Sequence, residues 1–222
     1  MSIIKNKYSF VIFDWDGTLM DSTGRIVSAM QTSAGIAGLP IPSEKAIRNI
    51  IGLSMDEAMD AIFPDACEDL RQQLFGIYRK QYVEDDPTPS PLFEGSLNLL
   101  DWLKSIGVEV AVATGKARHG LQRVLGTVGM ENYFKHSICA DEAHSKPHPQ
   151  MVELLLERTG KPAEETLLIG DSIHDLKMAS NAGVDSIGVT SGANSYQELE
   201  EHQPVTILER VCHLQEWFSR AE

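Results

Sequence analysis

Two aspartates, Asp14 and Asp16, follow a short apolar run near the start of the chain. Side chains two positions apart on a strand point to the same side, so both carboxylates can face one site if that run is a buried strand. Paired carboxylates bind a metal ion, carry a proton or do both. A lone Asp-x-Asp is also typical of a turn at a strand end, so this pair alone leaves both interpretations open.

Further polar residues follow three later apolar runs. Thr114 and Gly115 come directly before a helical pattern, where a hydroxyl and free backbone N–H groups can bind phosphate, although Thr-Gly is also an ordinary helix cap. Lys146 lies near the start of another predicted helix, and a single lysine is also an ordinary surface charge. Asp171 ends a strand-like run, and Asp175 lies four residues later, where it can also cap the next helix.

The apolar runs that must position these residues alternate with helix-like segments. Strands buried on both faces are predicted for Tyr8–Phe13, Val108–Ala113, Ser137–Ala140, Thr166–Ile169, Ser186–Val189 and Val205–Leu208. Helices are predicted for Ser96–Lys104, Ala117–Val128, Pro149–Arg158, Asp175–Ala182, Tyr196–Glu201 and Glu209–Phe218. This alternation predicts an α/β fold with a parallel sheet and helices on both faces.

The polar residues all fall at one edge of this predicted sheet. In an open parallel sheet, ligands bind outside the carboxyl ends of the strands, and each group above follows the end of a strand. Up to four carboxylates suit a hard Mg²⁺ ion, whereas Thr114, Lys146 and backbone N–H groups suit a phosphoryl group. Together these residue types predict phosphoryl transfer.

A long insertion separates the first two predicted strands. Roughly 95 residues lie between Phe13 and Val108, whereas a crossover with its helix needs only a dozen or two. Helical periodicity is found in Ile26–Gly35, Ser43–Ile50, Met55–Ile62 and Glu68–Tyr82, and a proline-rich link follows. We therefore expect a catalytic core of residues 1–18 and 90–222 and a helical cap of residues 19–89, with hinges near 19–22 and 86–91.

The order of these motifs resembles that of a known superfamily. Asp14-x-Asp16-Gly-Thr18, Thr114-Gly115, Lys146-Pro147 and Gly170-Asp171-Ser-x-x-Asp175, with a helical insertion after the first motif, resemble the haloacid dehalogenase superfamily. The resemblance covers nearly the whole chain. Within the superfamily, the chain resembles the helical-capped subgroup that includes phosphoglycolate phosphatases. This resemblance implies a Rossmann-like core.

The resemblance implies a role for each motif. Asp14 is implied to be the nucleophile that forms an aspartyl-phosphate, and Asp16 the acid and then the base. The implied phosphate ligands are Thr114, Gly115 and Lys146. The implied Mg²⁺ ligands are Asp14, Asp171 and the backbone carbonyl of Asp16, with Asp175 holding the metal, its waters or Lys146.

Alternative activities within the superfamily differ at particular positions. By resemblance, metal-free dehalogenases need no acid at Asp16, and phosphonatases use a cap lysine instead. Sugar phosphomutases carry glutamate where this chain has Gly170, so hydrolysis is favoured over mutase activity. Pyrophosphatase activity stays open as a further alternative. A catalytically inert binding protein would be expected to lose a motif residue, and none is lost.

The expected substrate is a small phosphorylated metabolite, selected by the cap. Lys45, Arg48 and Leu53, the last in a Gly-Leu-Ser turn between two cap helices, are candidates to contact it, although ordinary surface roles are favoured. Lys116 and Arg118 follow the Thr-Gly motif and can raise the local potential, but solvated positions on the first helical turn are the favoured interpretation.

Composition limits the possible partners. The 222 residues carry a formal charge of -13, which argues against nucleic acids and anionic membranes as partners. No apolar run approaches the ~20 residues of a membrane span. The three cysteines are too few and too scattered for a disulfide framework, so a reducing, cytoplasmic location is expected.

Overall fold

A computed structural model describes residues 7–220, and within this range the chain forms one parallel sheet of six strands. The strands are β1 (Phe10–Phe13), β2 (Glu109–Thr114), β3 (His136–Cys139), β4 (Thr166–Gly170), β5 (Asp185–Val189) and β6 (Thr206–Leu208). Their order is β3-β2-β1-β4-β5-β6. All six predicted strands are present, and the predicted α/β fold class is confirmed.

Helices cover both faces of this sheet. They are α5 (Ser96–Ser105), α6 (Arg118–Thr127), α7 (Gln150–Thr159), α8 (Ile173–Asn181), α9 (Tyr196–Glu200) and α10 (Leu214–Arg220). The side chains of β1 show that both faces of the sheet are covered, because they alternate between two clusters of buried residues. Val11 and Phe13 pack in a cluster that includes side chains of α5 and α10, whereas Phe10 and Ile12 pack with side chains of α7 and α8.

The insertion between β1 and β2 is helical. It contains α1 (Thr23–Ile36), α2 (Glu44–Arg48), α3 (Met55–Ile62) and α4 (Glu68–Lys80), and α4 continues into a π-helical turn at Gln81–Asp85. These helices share an apolar cluster of their own. The division into a core of 1–18 and 90–222 and a cap of 19–89 remains our proposal, and residues 1–6 and 221–222 of that core lie outside the described range.

One predicted helix is wrong at its start. The prediction placed a continuous helix over Glu209–Phe218, but Arg210 is extended and a short 3-10 turn, Val211–His213, precedes α10. The irregular start lets Val211 bury its side chain in the core before the helix begins, and Leu214 and Phe218 then face the core one turn apart. Between residues 7 and 220, no helix is long and apolar enough to cross a membrane.

Candidate active site

The two central strands place Asp14 and Asp171 side by side. Asp14 follows the last residue of β1, and its N–H donates to the carbonyl of Ile169 in β4 at 2.9 Å. Asp171 follows the last residue of β4. Because β1 and β4 are parallel neighbours in the sheet, their carboxyl ends deliver both side chains to the same edge.

Asp175 joins these two aspartates from the first turn of α8. It forms a capping box with Ser172, whose hydroxyl donates to Asp175 Oδ2 at 2.6 Å and accepts from the Asp175 N–H at 3.3 Å. Asp175 is therefore both a structural cap and part of the site. One carboxylate oxygen from each of Asp14, Asp171 and Asp175 lies within 4.8 Å of the others, and all three side chains are buried.

The space that Asp175 occupies depends on a glycine. A Cβ atom at Gly170 would lie 2.3 Å from both Cβ and Cγ of Asp175. Any side chain at this position would therefore displace Asp175 or the end of β4. Glycine at position 170, where the sugar phosphomutases carry glutamate, is thus required here for a steric reason.

Asp171 is fixed by two hydrogen bonds. Thr18 Oγ1 donates to Asp171 Oδ1 at 3.0 Å, and the Ala193 N–H donates to Asp171 Oδ2 at 2.6 Å. The contact of Thr18 joins residues 153 positions apart in the chain, so no local pattern in the sequence indicates it. The contribution of Ala193 was not indicated either, because a backbone donor leaves no mark in the sequence.

Lys146 is fully buried between two of the aspartates. Its Nζ atom lies 2.5 Å from Asp14 Oδ1 and 2.7 Å from Asp175 Oδ1. Burial lowers the pKa of Lys146, but attraction to Asp14 and Asp175 outweighs it and raises that pKa above the usual value. The ammonium is therefore charged at neutral pH, and the interpretation of Lys146 as a surface charge is wrong.

For Asp14 and Asp171, burial outweighs the favourable contacts and raises the pKa, which disfavours the ionised form. Burial raises the pKa of Asp14 to about 7, although Lys146 opposes this rise. Burial, together with repulsion from Asp14 and Asp175, raises the pKa of Asp171 well above its ordinary value. The cluster thus holds three buried carboxylates and one buried ammonium, which contacts Asp14 and Asp175, and an excess of negative charge is left when all are ionised.

This cluster fits a divalent cation. Carboxylate oxygens are the ligands that Mg²⁺ prefers, and a positive ion among three converging carboxylates offsets their repulsion. The carboxylate of Asp16 points elsewhere. Asp16 Oδ1 accepts from the Ser22 hydroxyl at 2.5 Å, and Asp16 Oδ2 lies 2.9 Å from Lys116 Nζ.

Lys116 is largely buried, in contrast to the solvated position favoured from the sequence. Its side chain is 12% exposed, and it contacts Asp16 and the hydroxyl of Tyr82, the latter at 3.2 Å. Burial lowers the pKa of Lys116, but Asp16 and Tyr82 raise it more, so the ammonium stays charged. The favoured interpretation of Lys116 as a solvated residue is therefore wrong. Its place two residues after Thr114, at the same strand end, was the available indication.

Thr114 and Gly115 form a loop beneath the cap. Thr114 is the last residue of β2 and is buried, and its Oγ1 accepts from the Lys116 N–H at 3.2 Å. A Cβ atom at Gly115 would lie 2.5 Å from the Leu53 carbonyl oxygen and 2.6 Å from that of Gly52. The cap turn that contains Leu53 therefore sits directly on this loop.

A cavity of about 590 Å³ opens between core and cap. Asp14, Asp16, Gly115, Lys116 and Leu53 are among its lining residues.

The other two specificity candidates lie outside this lining. Lys45 and Arg48 line a separate surface depression, where Arg48 Nη1 donates to the Gly192 carbonyl at 2.8 Å. Arg48 thus links cap to core. Arg118, by contrast, pairs with Glu142 and Ser137.

Comparisons with known proteins agree with this fold. The sequence model of haloacid dehalogenase-like hydrolases matches residues 11–189. The chain therefore belongs to the haloacid dehalogenase-like hydrolase family.

Among its relatives is a protein named "Probable phosphatase IndB" from Dickeya dadantii, 37% identical over 205 residues, or 90% of this chain and 88% of that protein. A phosphoglycolate phosphatase from Nitrosococcus oceani is 29% identical over 217 residues, covering 95% and 96%. The crystal structure of a hydrolase from Pseudomonas syringae shares the fold, with a TM-score of 0.87 at 23% identity over 97% of this chain and 100% of that one.

Proposed function

We propose that this protein is a Mg²⁺-dependent phosphatase that hydrolyses a small phosphorylated metabolite through an aspartyl-phosphate on Asp14. The observation that supports this most is the placement of Lys146 between Asp14 and Asp175, with Asp171 beside them. One cation and three carboxylates at a strand edge suit a phosphoryl group and a divalent metal. The phosphatase names of the two curated relatives support the same reaction class.

In the first step, Asp14 attacks the phosphorus atom. Lys146 holds Asp14 Oδ1, so we assign the attack to Oδ2. The Asp14–phosphorus bond forms as the bond from phosphorus to the ester oxygen breaks. Asp16, which is paired with Lys116 in the free protein, takes up a proton from solvent and gives it to that oxygen, which leaves as the alcohol.

In the second step, water attacks the phosphorus of the aspartyl-phosphate. Asp16, now ionised, accepts a proton from the water, and the bond between Asp14 and phosphorus breaks. Inorganic phosphate leaves, Asp16 releases the accepted proton to solvent, and both aspartates return to their starting states. Ser22 and Lys116 hold the two oxygens of Asp16, which positions it for both proton transfers.

The remaining residues bind and balance charge. Thr114, the Gly115 N–H and Lys146 would hold the oxygens of the transferring phosphoryl group, which is most negative as it moves between two oxygens. Asp14, Asp171 and Asp175, with the Asp16 carbonyl, would hold Mg²⁺. The ion supplies Lewis-acid stabilisation of the phosphoryl oxygens when bound.

The test is a phosphatase assay followed by detection of the covalent adduct. Wild-type protein with Mg²⁺ should hydrolyse a panel of phosphate monoesters, and excess EDTA should abolish turnover until Mg²⁺ is restored. Acid-quenched samples should show the mass of one added phosphoryl group, located on Asp14. Asp14→Asn should lose turnover and adduct, whereas Asp65→Asn, at an exposed cap position, should lose neither. An adduct on another residue, or full turnover in Asp14→Asn, would refute the assignment.

A further inference from the structure

The cavity is much larger than the reaction at its base requires. At about 590 Å³ it falls within the ~300–1,000 Å³ range of pockets that enclose drug-sized ligands. A phosphoryl group and a two-carbon leaving group would occupy only part of it. The reacting end is lined by Asp14, Asp16, Gly115 and Lys116, and the rest of the lining comes mainly from the cap.

The cap side of the cavity is an apolar wall. We define this cap wall by six side chains from three cap helices and the segment that follows α2: Met30, Ile50, Leu53, Met55, Phe75 and Tyr78. Phe75 is 41% exposed although it is a large aromatic residue. Leu53 and Met55 are partly exposed, whereas Met30, Ile50 and Tyr78 are buried, so the open part of the cap wall consists of Leu53, Met55 and Phe75. Apolar surface that stays open toward a cavity is typical of a site that buries an apolar ligand.

Within residues 7–220, the lining of the same cavity offers no unpaired buried cation to a second anionic group of the substrate. The described lining residues include four lysines and arginines, and of these Lys116 is largely buried. The ammonium of Lys116 already pairs with Asp16. Arg79, Lys80 and Arg123 are exposed. A substrate carboxylate or second phosphate would therefore lose its hydration beside apolar side chains without gaining a free buried cation.

We propose that the substrates are phosphate monoesters of alcohols with an apolar body larger than glycolate, seated against the cap wall. This inference rests on the proposed function for the position of the phosphoryl group at Asp14. The leaving group then extends from Asp16 toward Met55 and Phe75. Each methylene group buried there should strengthen binding about fourfold.

Binding tests the inference independently of turnover. Alkylphosphonates keep a phosphorus–carbon bond that a phosphatase does not hydrolyse, so calorimetry with Mg²⁺ can compare methylphosphonate with hexylphosphonate. Hexylphosphonate should bind at least thirtyfold more tightly. Equal affinity for the two would overturn the inference whatever the enzyme hydrolyses.

Turnover provides a second comparison. Primary alkyl phosphates from ethyl to hexyl have similar leaving groups, so kcat/KM along the series reports apolar contact. It should rise with chain length and exceed that for phosphoglycolate, and a higher kcat/KM for phosphoglycolate than for hexyl phosphate would overturn the inference. Tight hexylphosphonate binding with no ester hydrolysed would instead refute the proposed phosphatase reaction and leave the assignment of the cap wall standing.

Variants locate the effect. Met55→Ala and Phe75→Ala each remove apolar contact from partly exposed positions, so both should fold and both should reduce the hexyl-to-methyl affinity ratio severalfold. Ile41→Ala is the matched control, because Ile41 is a cap residue that is 65% exposed and lies outside the lining. An unchanged ratio in both wall variants would show that the alkyl chain binds elsewhere and would overturn the inference.

Discussion

The ammonium of Lys116 lies 3.2 Å from the hydroxyl oxygen of Tyr82, and the same ammonium is paired with Asp16. Lys116 begins the loop-to-helix segment after β2, whereas Tyr82 belongs to the π-helical turn that ends the cap helices. The contact therefore joins the cap, the core and the proposed acid. Its loss should affect catalysis as well as cap placement.

The first prediction concerns this contact. Lys116→Met should lower kcat about tenfold to a hundredfold, because Asp16 loses a charged partner that helps to hold it in place. Tyr82→Phe should cost about fivefold, since only a neutral hydrogen-bond partner is removed. Steady-state kinetics on one ester would measure both, with Lys177→Met at an exposed position as the control. Equal kcat in Lys116→Met and the control would contradict this role.

The second prediction compares a buried and an exposed lysine. Lys146→Met leaves Asp14 and Asp175 without their buried cation, so the free energy of unfolding should fall by about 3–5 kcal/mol and turnover should be lost. Lys7→Met removes a partner of Asp185 at the surface and should cost no more than about 1 kcal/mol. Urea unfolding at neutral pH would measure both values. Similar costs for the two variants would be inconsistent with the burial of Lys146.

The third prediction is a pH dependence of stability in the metal-free protein. An unfolded chain releases the Asp14 proton near the ordinary pKa of 3.8, whereas in the folded protein burial raises that pKa to about 7. Between these values the folded state binds more protons, so this group makes the free energy of unfolding fall as pH rises from about 4 to about 7.

Asp14→Asn removes this contribution. The difference in unfolding free energy between wild type and Asp14→Asn, measured in EDTA, should therefore shift against wild type as pH rises through that window. Adding Mg²⁺ at pH 7 should stabilise wild type more than the variant, because the variant lacks one carboxylate ligand. A difference that is constant from pH 4 to pH 7 would contradict the pKa assigned to Asp14.

The fourth prediction concerns cap closure. In Gly115→Ala the new methyl group would lie 2.5 Å from the Leu53 carbonyl oxygen, so the cap turn can no longer sit on Gly115. The variant should fold, show a larger radius of gyration by solution scattering and lose at least tenfold in kcat/KM. Gly126→Ala, on α6, meets its nearest neighbour at an ordinary 3.7 Å and should behave as wild type. An unchanged kcat/KM in Gly115→Ala would show that catalysis does not need this contact.

The parts of the fold that depend on local patterns could be predicted from the sequence. The two central strands, β1 and β4, are short runs that are buried throughout and mostly apolar, because a parallel sheet covered on both faces requires it. The burial of Lys116 could not be predicted in this way, since it depends on Tyr82, 34 positions earlier in the chain. The position of Arg48 outside the cavity could not be predicted either, because Arg48 is held by the backbone carbonyl of Gly192, which is also distant in the chain.

The central position of β1 also affects how the chain folds during synthesis. Its two neighbours, β2 and β4, are made later, and the second of them ends only at Gly170 of 222 residues. The helices of the insertion contact one another locally and can collapse soon after they emerge from the ribosome, whereas β1 keeps an unpaired edge until about three quarters of the chain exists. During that interval the unpaired edge of the apolar strand Phe10–Phe13 is a template on which another chain can pair.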